Sequence, residues 1–133
     1  MSIPDGFSPY EDGGPFMRLI GPVHVKGEGE DRTFGLLIEE KHLNVGGVAQ
    51  GGLLATLADH SLGRGVSAGR DDDERSATVS LTIDYLGPAK LGDWVESDTK
   101  VERVAEHLAF ADCSLRVGDR EIVRARAVFA VVS

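Results

Sequence analysis

Only one of the 133 residues is a cysteine, Cys113. A single thiol cannot close an internal disulfide, and this usage fits a reducing compartment. Cations are also scarce: Asp and Glu outnumber Lys and Arg 22 to 14, for a net charge of −8. That balance disfavours nucleic acid or an anionic membrane surface as a bulk partner. No apolar run reaches the roughly 18 residues a bilayer span needs, and no basic-then-apolar start reads as a signal peptide. A soluble cytoplasmic protein is the expectation. Histidines number four (His24, His42, His60 and His107) without the spacing of a zinc site, so no metal is expected. A chain of this length can bury about two thirds of its unfolded surface, which suffices for one domain over residues 1–133.

Residues 1–16 contain three prolines and three glycines, and 1–15 read as an irregular N-terminal arm. Phe7, Tyr10 and Phe16 are expected to pin it to the body or fold it over a site. Residues 17–27 read as a weak strand broken at Gly21-Pro22. Arg32 to Glu40 alternates, with Phe34, Leu36 and Ile38 on one face, as a strand does. A loop over 41–50 leads into a helix that ends between Leu62 and Ala68, where Gly63, Gly65 and Gly69 weaken it. The acidic run Arg70 to Glu74 lacks the ligand pattern of a calcium loop and reads as a solvated turn. Ala77, Val79, Leu81, Ile83 and Tyr85 then alternate with polar residues as the clearest strand. Three more strands follow: 93–103, 109–117 and 123–131, the last two joined at Gly118-Asp119. The order is β-β-α-β-β-β-β. An α+β fold satisfies it, with one antiparallel sheet wrapped around one long central helix.

The chain is organised around Asn44 to Leu62, NVGGVAQGGLLATLADHSL. Glycines at 46, 47, 51 and 52 open it, and Leu53, Leu54, Leu57, Ala58 and Leu62 continue at helical period. The remaining sides are small or apolar, so the helix is expected to be buried nearly all round. Asp59 contradicts that setting, because an ionised carboxylate among apolar groups is costly unless paired, hydrogen-bonded or used. A structural carboxylate pairing with Arg64 is the plain alternative. Near Gly51 and Gly52 the first helical N–H groups are unpaired donors at the positive end of the helix dipole, suited to an oxyanion.

Other motifs carry less. Asp59-His60-Ser61 has triad residue types, but consecutive helical residues diverge by roughly 100° and cannot meet on one bond. Gly47 to Gly52 lacks the Lys-Ser/Thr of a phosphate loop, with Leu53-Leu54 standing there instead. Cys113 lies on an apolar strand face, as a buried structural cysteine does.

With these residues in place, the chain resembles hotdog-fold acyl-CoA thioesterases of the PaaI-like group, in the 4-hydroxybenzoyl-CoA thioesterase-like superfamily. The motif Asn-x-x-Gly-x-x-His-Gly-Gly, followed by Leu-x-Asp, is matched by Asn44 to Gly52 and Leu57-Ala58-Asp59. The stretch Thr78 to Asp93 is similar to that group's next strand and turn. One position departs: Gln50 stands where histidine is usual. The resemblance implies a hydrolase acting on an acyl-CoA, with no cofactor beyond the coenzyme A of the substrate. It implies a homodimer, or a dimer of dimers, with active sites between subunits. Asp59 would be the nucleophile or general base, and the Gly51 N–H would hold the thioester oxygen. Asn44 would position the water or the carboxylate, and Thr78, from the partner, would hydrogen-bond the water or Asp59. Gln50 and Gly52 would flank the carbonyl, while Ser80, Tyr85, Arg103 and His107 would contact substrate. A glutamine amide can donate a hydrogen bond but cannot carry a proton. Its presence motivates the alternative of a catalytically weak acyl-CoA-binding module. A hotdog dehydratase ranks last, because the site has no histidine at that position.

Overall fold

The computed structural model describes residues 3–68 and 75–132. Seven strands, β1 (Ser8–Tyr10), β2 (Val23–Lys26), β3 (Thr33–Leu37), β4 (Arg75–Tyr85), β5 (Trp94–Val104), β6 (Leu108–Val117) and β7 (Arg120–Val132), accompany helices α1 (Pro15–Ile20) and α2 (Gly51–Ser67). The strands form one sheet in the order β1-β2-β3-β5-β6-β7-β4, antiparallel throughout. Strands β2 to β7 and α2 reproduce the expected β-β-α-β-β-β-β order, and the α+β sheet-around-helix architecture is the hotdog fold. The acidic run 70–74 lies outside the described residues.

The arm is more ordered than its composition suggests. Ser8 and Tyr10 pair with Val25 and Val23, so β1 extends the sheet. Tyr10 packs edge-on against Phe34 and His60, and Phe7 packs against Trp94. Phe16 pins nothing; it is 57% exposed. It sits on α1, because Pro15 supplies a pre-set φ at the first turn and Gly21 ends the helix. Residues 17–20 are therefore helical, and only 23–26 form the expected first strand.

Helix α2 lies against β4, β5, β6 and β7. Leu53, Leu54, Leu57, Ala58, Ser61, Leu62, Gly65 and Val66 are buried. They face a sheet surface of Val95, Ala109, Ala111, Cys113, Leu115, Val123, Ala125, Ala127 and Phe129, all buried. The alanines leave room for the helix, and Gly65 uses it: a Cβ there would lie 2.9 Å from Thr99 Cγ2. Truncating a fully buried residue such as Leu57 would cost about 2–5 kcal/mol. The helix is not buried all round, contrary to the expectation. Gly52 and Arg64 are exposed and Thr56, Asp59 and Gly63 half-buried, because the sheet curls around one flank and, in the single chain, leaves the other open.

Strand β4 forms one edge of the sheet. Its register against β7 slips between Thr78 and Ser80. Thr78 stands opposite the buried Phe129, and Leu81, Ile83 and Tyr85 stand opposite Ala127, Ala125 and Val123. All four share the inner face. Strict alternation would have put Thr78 on the other face from Tyr85; the bulge at Val79 reverses the parity.

Candidate active site

The loop before α2 is a closed hairpin. The Gln50 N–H donates to His42 O at 2.8 Å, Leu43 and Ala49 form a bridge, and Asn44 N–H donates to Val48 O at 2.7 Å. The Asn44 side-chain oxygen accepts the Val48 N–H at 3.2 Å. Asn44 thus shapes the tip of this hairpin, and its carbonyl group is occupied there rather than at Asp59.

Gln50 is the N-cap residue of α2, with φ −60° and ψ 134° and no side-chain cap bond. Its carbonyl accepts the N–H groups of Leu53 and Leu54 at 3.0 and 3.2 Å. Among the described residues, the N–H groups of Gly51 and Gly52 have no hydrogen-bond partner. The Gly51 carbonyl is fixed from the other side by the Tyr85 hydroxyl, which donates to it at 2.8 Å. The helix start is therefore held in place with two donors open.

Asp59 is half-buried on the open flank of α2. The Thr78 hydroxyl of the same chain donates to its Oδ1 at 2.9 Å. Thr78 was expected from the partner subunit; the bulge in β4 instead brings it to Asp59 within one chain. Among the described residues Asp59 has no ion pair, so the pairing with Arg64 is not formed. The neighbours of Asp59 turn elsewhere: His60 Nε2 lies 2.8 Å from the Tyr10 hydroxyl, and Ser61 Oγ donates to Leu57 O. Burial, then the charges of Arg64 and Arg32, depress the His60 pKa to about 4. A neutral ring packed against Tyr10 and Phe34 is a structural part, and the three consecutive residues form no triad.

Eight residues separate Gly51 from Asp59, which is about 12 Å along the axis at 1.5 Å per residue. Their directions also differ by roughly 80°. In one chain the open N–H and the carboxylate therefore do not converge on a single carbonyl. The candidate residues form two separate groups, or halves: Gln50, Gly51, Gly52 and Tyr85 at the helix start, and Asp59 with Thr78 two turns on.

Other expected contacts lie away from the helix start, toward the Thr78 end of β4. Ser80 stands opposite Val128 on the outer face. Arg103 and His107 are exposed at the turn from β5 to β6, and His107 lies 3.7 Å from Glu106. Leu108 and Ala77 both pair with Ala130, which puts that turn at the end of β4 away from Tyr85 and Gly51. Cys113 is buried, and burial raises its thiol pKa to about 11, as an inert core residue requires.

A groove of about 490 Å³ opens beside the helix start, lined by Phe16, Leu19, Ile20, Lys41, His42, Leu43, Gln50, Gly52, Leu53 and Thr56. Sequence reasoning found Gln50 and Gly52 and allowed Phe16 to fold over a site, but missed Leu19, Ile20 and Leu43. The available signal was Phe16 and Leu19 at i and i+3 directly after Pro15, one apolar face of a short helix.

The family model of the thioesterase superfamily matches residues 46–124, which holds both halves of the site. The Pseudomonas aeruginosa protein named "Putative esterase PA0474" is 38% identical over 130 residues, 97% of each chain. Human acyl-coenzyme A thioesterase 13 is 30% identical over 104 residues, 75% of this chain and 71% of that one. In fold, the chain superposes on a mutant of the phenylacetic acid degradation protein PaaI from Thermus thermophilus. That match has a TM-score of 0.79, 20% identity, and coverage of 88% of this chain and 98% of that one. Since the family model spans more than half of the chain and the first of these relatives matches almost end to end, the chain belongs to the thioesterase superfamily, and it shares its hotdog fold with PaaI.

Proposed function

We propose that this protein hydrolyses an acyl-CoA thioester to free acid and coenzyme A. The observation that carries the reading is the pairing of open N–H donors at Gly51 and Gly52 with a carboxylate, Asp59, held by Thr78. Thioester hydrolysis builds negative charge on the carbonyl oxygen. A preorganised N–H at the positive end of a helix stabilises that charge, and one such donor is worth about 2.7–4 kcal/mol in other enzymes. The carboxylate either deprotonates water or attacks to form an anhydride. In both routes Thr78 fixes its orientation. Gln50 can donate its amide to the same carbonyl without carrying a proton.

The separation of the two halves supports a site shared between subunits. Two copies with their α2 helices antiparallel would set Asp59 and Thr78 of one protomer against Gly51 of the partner subunit. The open flank of α2 and the unpaired edge of β4 are the surfaces available for such a homodimer, which could pair again as a dimer of dimers. Cytoplasmic acyl-CoA pools would supply the substrate.

Thiol release from a panel of acyl-CoAs, with wild type and Asp59→Asn in parallel, tests the reading. Turnover by wild type and a loss of at least about a hundredfold in kcat for Asp59→Asn is the expected result. Binding without turnover would favour a binding module created by Gln50. Neither binding nor turnover with any acyl-CoA would overturn the proposal.

A further inference from the structure

Helix α1 has only one buried residue, Met17, yet it walls the groove beside the helix start with Phe16 and Leu19. What holds it there is His42, which is 3% exposed. The imidazole Nδ1 accepts the Glu39 N–H at 2.8 Å, so the ring proton resides on Nε2. That N–H donates to the carbonyl of Ile20, the last residue of α1, one of the carbonyls a helix end leaves without an internal partner. The His42 carbonyl accepts the Gln50 N–H at 2.8 Å, immediately before Gly51. One buried residue thus joins the groove wall to the residue that opens α2. The other side-chain tie to α1 from this turn is weaker: the Lys41 ammonium, exposed, reaches Leu19 O at 3.4 Å.

We infer that His42 is a positioning residue that sets the acyl-length preference of this thioesterase, by holding α1 as the wall of an acyl groove beside the Gly51 N–H. The inference rests on the hydrolytic reading above. The groove suits the acyl end of the substrate rather than the nucleotide. Its walls are Phe16, Leu19, Ile20, Leu43 and Leu53, and its one cation, Lys41, is turned toward Glu39 at 3.8 Å. Gln50 lines the groove next to the N–H that would hold the thioester oxygen, so a chain leaving that carbonyl enters between Leu53 and α1. The occupant is an apolar acyl group larger than acetyl.

The test is the slope of log kcat/KM against chain length, from acetyl- to decanoyl-CoA. Each methylene buried in an apolar groove multiplies kcat/KM by about four, so wild type climbs at that rate until the groove is full. His42→Asn keeps an acceptor for the Glu39 N–H and loses the donor to Ile20. It is expected to lose at least half the slope. His42→Gln, which offers an amide N–H at the reach of Nε2, is expected to restore it. A uniform loss at every length would mark a merely structural residue and overturn the inference, as would an unchanged slope. Leu19→Ala and Phe16→Ala alter exposed wall residues and decide the matter if a His42 variant fails to fold: they too must flatten the slope. Decanoate titration followed at the Gly52 and Leu53 amides by NMR needs no turnover. If wild type cleaves no acyl-CoA, the hydrolytic reading fails alone. The inference then stands if decanoate shifts those amides with affinity at least about tenfold weaker in His42→Asn, and falls if it does not.

Discussion

Thr78 and Asp59 are bonded within one chain, hydroxyl to Oδ1 at 2.9 Å, across the gap between an edge strand and the open flank of the central helix. The bond orients one carboxylate oxygen and leaves the other available for chemistry. Thr78→Val keeps the shape and removes the donor. A hydrogen bond to a charged group contributes about 1.5–3 kcal/mol, so kcat is expected to fall about 10- to 100-fold with KM little changed. Combined with Asp59→Asn, the second substitution should add almost nothing, since both act through one unit. Steady-state kinetics on the two single variants and the double variant checks this; additive losses would count against the bond's role.

That contact also marks where the sequence was legible and where it was not. Periodicity placed α2 and strands β3, β4, β6 and β7, because apolar alternation records which face meets the core. It could not place Thr78. Counting by two from Tyr85 puts Thr78 on the outer face, and only the extra residue at Val79 turns it inward. A bulge changes no composition, so it leaves no periodic trace. Asp59 and the glycines at 51 and 52 were legible because a carboxylate and a glycine pair are out of place in an apolar helix. The groove wall was less so, because a six-residue helix offers a single i, i+3 pair, Phe16 and Leu19, in place of a repeated period.

Gly51→Pro tests the proposed oxyanion donor. Position 51 is the first helical residue, where proline is tolerated because its missing N–H has no helical partner. Gln50 already has the extended ψ of 134° that a residue before proline prefers. The side chain must displace the Tyr85 ring slightly, as a Cβ would lie 3.3 Å from it. Thermal stability should change by about 1 kcal/mol or less, while kcat falls about 10²–10³-fold, the scale seen when one oxyanion donor is lost. Loss of the fold, or unchanged kcat, would both contradict the assignment.

His60 makes stability pH-dependent. Its folded pKa is near 4, depressed by burial and by Arg64 and Arg32, whereas an unfolded histidine titrates near 6.5. Between those values the unfolded chain binds the extra proton, so stability is full above about pH 6.5 and declines as pH falls toward 4. After discounting for partial exposure the loss is on the order of 2 kcal/mol. His60→Phe retains the edge-on packing with Phe34 and should remove most of that decline, at a cost of about 1 kcal/mol at pH 7 for the lost Tyr10 bond. Urea denaturation at pH 7 and pH 4.5 compares the two slopes; an identical acid loss in both proteins would assign it to other groups.

Subunit complementation tests whether the site is shared. In a homodimer whose sites combine Asp59 of one protomer with Gly51 of the partner subunit, Asp59→Asn and Gly51→Pro are each inactive alone. Mixed after unfolding and refolding together, random pairing makes about half of the dimers hybrid. Each hybrid has one site with both lesions and one site with neither. Activity should therefore return to about a quarter of the wild-type value from two inactive preparations. If instead each site lay within a single chain, every site in the mixture would carry one lesion and no activity would return. The 12 Å of helix rise between the two positions favours the first outcome. The carboxylate and the oxyanion donor can then be inherited on one short segment, yet reach a common substrate only when two copies of that segment run side by side.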